Sequence, residues 1–286
     1  MPDSSWPYHF LTLSREQVAE RRTLLTQRGI FTQVSAFIVI FSVGVYRYAT
    51  RNGKSSRPTG QVKSWLDSPP RKGWSETRRQ YFVCLAWLFW VLELAVWKTG
   101  DDYLHLTKSL GRVGLAHLPL QVLLSPKFLT SPNTSSSLLP TLLNTTQSSL
   151  TPYHRLLGRL VTIPLLVLHS ILYLTFFFSK LDVTEVPIFF SRVWDSDVQL
   201  GLVALCGVLG LWATSSTVVG LGGLRKRVSR KVFYYVHVGV VVGLLVVVFF
   251  HVEFTRPFVV GTVVVWGVDL VMLSRGGGDG NGAVRS

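Results

Sequence analysis

Residues 237–251 read HVGVVVGLLVVVFFH, thirteen apolar or glycine positions closed at both ends by histidine. Taken alone, so valine-rich a run suits a buried strand. In hydrocarbon, however, only an α-helix or a closed barrel satisfies the backbone, and the sequence lacks a barrel's alternation. The run is therefore read as a membrane-spanning helix. Six comparable stretches surround it. A hydrocarbon core of about 30 Å needs around 20 apolar residues, and the spans are read at 31–48, 81–97, 111–129, 154–178, 198–220, 232–252 and 255–273. The third is the weakest, interrupted by His117, Pro119, Gln121, Pro126 and Lys127. The fold class is thus all-α integral membrane, a seven-helix transmembrane bundle.

Composition agrees. Of 286 residues 48% are hydrophobic and only 15% charged, against roughly 25% charged in a soluble domain. A soluble enzyme, a disordered chain and a collagen-like chain are excluded. Cys84 and Cys206 both sit in apolar runs, which leaves no disulfide framework. The net charge of +14 lies in loops rather than on a folded face, so nucleic acid is not the expected partner; membrane lipid is.

Lysine and arginine in short loops set the orientation. The segment between the first two spans carries Arg51, Lys54, Arg57, Lys63, Arg71, Lys72, Arg78 and Arg79, and the turn before the sixth carries Arg225, Lys226, Arg227, Arg230 and Lys231. Seven crossings make both cytoplasmic if the N-terminus is outside and the C-terminus inside. The acidic 179–197 stretch, with Asp182, Glu185, Asp195 and Asp197, then lies outside. No cleavable signal is read in the first 30 residues. The acceptor patterns at Asn133 and Asn144 fall on a cytoplasmic loop and are read as chance matches. The plasma membrane is the expected location.

Histidine is the residue type that points to chemistry, since an imidazole in hydrocarbon needs a partner. His9 and His105 fall in presumed external segments, but His154, His169, His237 and His251 fall within or at the ends of the fourth and sixth spans. His237 and His251 are 14 residues apart, which is about 21 Å of rise and a return to within about 40° of the same face. His154 and His169 are 15 apart, about 60° out of phase, with Pro164 between them able to re-phase the helix. Both spans run the same way, so the histidines pair at two depths. A flat cofactor of haem size between axial imidazoles satisfies this arrangement. Zinc or copper fits less well, because no histidine has a cysteine or carboxylate at i+3 or i+4.

The stretch Tyr153-His154-Arg155-Leu156-Leu157-Gly158-Arg159, followed by His169-Ser170-Ile171-Leu172-Tyr173, resembles the H-R-x-x-G-R … H span of the ferric reductase transmembrane domain, shared by fungal ferric reductases and NADPH oxidases. Gly111-Arg112 with Pro119-Leu120, the basic turn and aromatics before His237, and Trp266-x-x-Asp269 with Arg275 extend the likeness over residues 80–275. The resemblance implies a six-helix haem core, with one N-terminal helix in front. It further implies two b-type haems, held by His154 with His237 on the cytoplasmic side and by His169 with His251 on the outer side. The spacing of 15 departs by one residue from the family's pattern. The flavin motif and nicotinamide domain of longer members do not occur in this sequence. FAD and NADPH are therefore expected only through a missing domain or a cytoplasmic flavoprotein partner.

The expected organisation is an extracytoplasmic segment (1–30), an extra transmembrane helix and basic cytoplasmic loop (31–79), the haem domain (80–275) and a flexible cytoplasmic tail (276–286). Arg112, Arg155 and Arg159 are candidate partners for haem propionates, against snorkelling to lipid headgroups. His117 is read as structural, Glu93 as solvated near the outer end, and Asp269 as paired with a nearby arginine. The expected function is transmembrane electron transfer as the membrane component of a metalloreductase, an oxidoreductase with ferric or cupric ion as acceptor. A superoxide-generating module is the neighbouring alternative; a seven-helix receptor or a transporter is the non-redox one.

Overall fold

The computed structural model describes residues 7–51, 65–126, 137–183, 185–215 and 229–276. The basic stretch 52–64, the turn at 216–228, Asn133 and the tail from 277 lie outside them. Every regular element is a helix among the described residues. They are α1 (Arg15–Arg51), α2 (Arg78–Val96), α3 (Tyr103–Ala116), α4 (Leu118–Leu124), α5 (Leu138–Leu142), α6 (Gln147–Leu157), α7 (Ile163–Ser179), α8 (Phe189–Arg192), α9 (Ser196–Ser215), α10 (Arg230–His251) and α11 (Arg256–Gly276). A π turn at Gly158–Thr162 joins α6 to α7 in one rod, and short 3-10 turns stand at Trp65–Asp67 and Glu253–Thr255.

Six stretches among the described residues are long and apolar enough to cross a membrane: Arg15–Thr50, Arg78–Val96, Gln147–Ser179, Ser196–Ser215, Lys231–His251 and Glu253–Arg275. The surface is inverted relative to a soluble protein. Phe37, Phe41, Phe89 and Phe250 are exposed, while Arg28, Thr32, Thr107, Ser109, His117 and Asp269 are buried. Apolar side chains outside and polar ones inside is what hydrocarbon solvent selects. The protein is a multi-pass membrane helical bundle.

Two expected spans differ from the observed ones. The first helix begins at Arg15, well before residue 31, because two of its arginines are buried against the α2–α3 turn. Arg21 pairs with Asp102 in a buried salt bridge, and Arg28, fully buried, donates to the Trp97 carbonyl. The third span is not one apolar helix over 111–129 but α3 and α4, broken at His117. It reads as weak in sequence because α3 is the helix most enclosed by protein, packed on α1, α2 and α7. Small and polar residues serve such a position; apolar ones serve the lipid face. His105, expected in an external segment, is buried within α3.

Contacts at the two ends give the order of crossings. Arg21 and Arg28 of α1 reach the α2–α3 turn, whereas Arg47 donates to the Leu143 carbonyl (3.3 Å) at the far end. From Arg21 to Arg47 is about 39 Å of helix, more than the hydrocarbon thickness. The α3–α4 pair runs antiparallel to the α6–α7 rod: Thr107 meets His169 and Gln121 meets His154. It therefore travels from one histidine level to the other, despite its break.

Asp102 ties two helices, since it also accepts from the His105 N–H (3.1 Å) as the N-cap of α3. Removing one member of a buried ion pair leaves the other charge uncompensated, a loss of about 3–5 kcal/mol. Asp102→Ala should lower the thermal unfolding midpoint in detergent sharply. Asp102→Asn, which keeps the cap, should fall between this variant and the native chain. Equal midpoints for Asp102→Ala and the native chain would show the pair to be unimportant.

Candidate functional site

All four span histidines are half-buried, and they pair as two levels. At one end the His154 and His237 rings have centroids 6.3 Å apart with planes at 75°. At the other, His169 and His251 line the same cavity of about 470 Å³. The rods that carry them are α6–α7 and α10, and both α7 and α10 pack on α9.

Backbone carbonyls fix three of the rings. His154 Nδ1 lies 3.0 Å from the Gln121 carbonyl, His169 Nδ1 2.7 Å from that of Thr107, and His251 Nδ1 2.6 Å from that of Asp197. A carbonyl oxygen can only accept, so each of these Nδ1 atoms donates. A histidine oriented by a carbonyl at Nδ1 is held as a metal-ligating imidazole is. Glycines make room for two of these rings. A Cβ on Gly111 would stand 2.7 Å from His169 Nδ1, and one on Gly201 would stand 3.0 Å from His251 Cε1.

The residues fit a bis-imidazole haem. With ring centroids 6.3 Å apart, His154 and His237 would hold the iron between them. Among the described residues no third His, Cys, Asp or Glu joins either pair. The His169/His251 cavity has apolar walls, among them Leu166, Leu205, Val208 and Leu244, and a basic side formed by Arg21, Arg22, Lys108 and Arg112. Apolar walls suit a macrocycle and cations suit its carboxylates.

The remaining candidates find definite partners. Arg112 donates to the Phe254 carbonyl and lies over the rings of Phe254 and Phe258 (5.5 and 5.7 Å), while lining the cavity. Arg155 and Arg159 both bond to Glu76 Oε1, at 2.9 and 2.8 Å. Sequence reading gave Glu76 no role. His117 is buried with both nitrogens engaged: Nδ1 lies 2.7 Å from the Val113 carbonyl, and Nε2 accepts from Trp87 Nε1–H at 2.9 Å. Those bonds hold the α3–α4 break and leave no nitrogen for a metal. Asp269 is fully buried and accepts from the Leu138 N–H (2.8 Å) at the start of α5. Glu93 faces out of the bundle. Cys84 is buried and Cys206 exposed on the helix surface.

Residues 110–248 match the model of a family described as ferric reductase like transmembrane component. His154, His169 and His237 fall within the match, and His251 lies three residues beyond it. No curated protein and no solved structure shows a significant match.

Glu76 gives this end a pH dependence. Burial would raise its carboxyl, but the Ser75 hydrogen bond and the guanidiniums of Arg159 and Arg155 outweigh burial and hold it below the usual value near 4.5. A carboxylate depressed on folding stabilises fully above its unfolded value, and that part is lost as pH falls through the folded value. The unfolding midpoint should therefore drop on acidification below about pH 4.5. Glu76→Gln should be less stable at neutral pH by about 2 kcal/mol, with Arg159 the more sheltered partner, and should lack that part of the acid sensitivity. Superimposable acid profiles for the two chains would contradict this.

Proposed function

We propose, for a chain whose residues 110–248 are a ferric reductase-like transmembrane domain, that it carries electrons across the membrane as the haem component of a metalloreductase. The observation that carries this reading is the pairing of histidines from the same two rods at two depths, with His154 and His237 6.3 Å apart ring to ring. His154 with His237, and His169 with His251, would each hold one b-type haem through Nε2. Six-coordinate haem supplies one-electron transfer without a vacant position for substrate.

The chain's own residues do the rest. The carbonyls of Gln121, Thr107 and Asp197 fix the imidazole tautomer and raise ligand basicity. Gly111 and Gly201 let α3 and α9 approach the rings. The apolar walls exclude water from the relay, and a separation of about 21 Å between levels spans most of the hydrocarbon. Arg112, Arg21, Arg22 and Lys108 line the side of the His169/His251 cavity suited to propionates, while Arg155 and Arg159 stand, through Glu76, at the other end.

Charge supports an orientation. The His154/His237 end carries Arg47, Arg71, Lys72, Arg78 and Arg79 with few acids, whereas cations at the opposite end are balanced by Asp102, Asp182, Glu185, Asp195, Asp197 and Glu253. By the positive-inside rule the first end is cytoplasmic, so the N-terminus is outside and the C-terminus inside. The plasma membrane is the membrane we propose. Electrons enter at the cytoplasmic end from FAD and NADPH, bound by a further domain or by a flavoprotein that docks there. They leave at the outer end to ferric or cupric ion.

Purified protein reduced with dithionite should show a b-type absorption spectrum with about two haems per chain. His154→Ala and His237→Ala should each lose one haem; His169→Ala and His251→Ala should each lose the other. A colourless protein, or four variants that all keep the full complement, would refute the reading.

A further inference from the structure

The two histidine-bearing rods do not have the same count. Fourteen residues separate His237 from His251 on α10, and fifteen separate His154 from His169 on α6–α7. In unbroken α-helices one extra residue swings a side chain by about 100° and lifts it by about 1.5 Å. Yet His169 faces the same cavity as His251, and His154 the same level as His237. The receiving carbonyls on α3–α4, Thr107 and Gln121, are themselves 14 residues apart. The surplus residue has been absorbed somewhere between His154 and His169.

We propose that the π turn at Gly158–Thr162, gripped by Gln121, is a register device that removes this surplus residue and brings His154 and His169 into phase with His237 and His251. Here Ile163 N–H bonds to the Gly158 carbonyl, five residues back instead of four. One such turn takes up one additional residue without advancing the helix face. Its place follows from Pro164, which has no N–H to close the α-helical bond to the Leu160 carbonyl, so the proline gives up nothing by letting the helix widen just before it.

Gln121 acts on both the turn and the ring. With its amide oriented to satisfy both ends, its side-chain oxygen accepts from the Gly158 N–H (2.8 Å) and from Thr162 Oγ1 (3.0 Å), and its nitrogen lies 3.2 Å from the His154 carbonyl and 3.1 Å from His154 Nδ1. It thus brackets the first and last residues of the π turn. Its backbone carbonyl meanwhile receives His154 Nδ1. The Gln121 N–H bonds to the His117 carbonyl (2.9 Å), at the break that Trp87 pins. Gln121 is therefore a positioning residue: it touches no reacting atom and sets the ring that does. The inference rests on the haem reading above.

The test is deletion of Leu160 from the full chain. Residues on either side keep their faces if the deletion simply straightens the π turn, so the variant should retain both haems and both low-spin bis-imidazole signals by electron paramagnetic resonance. Deletion of Val242 from α10, where there is no surplus, should swing His251 out of line and lose one haem. Gln121→Leu in the full chain should weaken retention of the His154-side haem roughly five- to thirtyfold, by loss of one or two buried hydrogen bonds, and should shift its signal. In the Leu160-deleted chain the same substitution should have less than about a twofold effect, because no π turn remains to be held. Loss of one haem on deletion of Leu160, or an undiminished effect of Gln121→Leu in that background, would overturn the register device while leaving the haem reading intact. A native chain with no haem would remove the haem reading itself.

Discussion

A polar group inside hydrocarbon has no water to fall back on, and this protein is arranged around that constraint. The threonines buried in its helices return their hydroxyls to the preceding turn, as Thr32, Thr107 and Thr262 do at 2.7–2.8 Å. Arg21 finds Asp102, His117 finds Trp87, and Asp269 finds the start of α5. Three span histidines give their Nδ1 protons to carbonyls of neighbouring helices. The threonine bonds stay within one helix, whereas the others join separate segments, so satisfying those polar atoms also assembles the bundle.

Those carbonyls fix one nitrogen of each ring and so its orientation, and they come from α3–α4 and α9 rather than from the rods that carry the histidines. Close packing at Gly111 and Gly201 lets those elements come near enough to a ring without filling the cavity beside it. Helix α3 meets protein on nearly every side and, together with α4, contacts histidines of both levels.

Much of this was legible in the chain. Hydropathy located six of the apolar stretches, and two matched histidine pairs singled out the rods that matter. The H-R-x-x-G-R pattern pointed to the family domain that covers 110–248. The misses have a common cause. Arg15 to Arg28 were read as part of an extracytoplasmic segment, since charges count against burial, whereas Arg21 and Arg28 are buried by partners near residue 100. Glu76 gave no signal, since an acid in a basic loop says nothing about the two arginines eighty residues away that converge on it.

Sequence by itself determined that the chain lives in a membrane and which stretches are long and apolar enough to cross it. These follow from local hydropathy, which is set residue by residue. Only the tertiary structure decided which way three of the histidine rings turn, that Arg155 and Arg159 share one carboxylate, and that a π turn stands between His154 and His169. Those depend on carbonyls, glycines and one glutamine supplied by other helices, and nothing local records where a distant helix will bring its backbone.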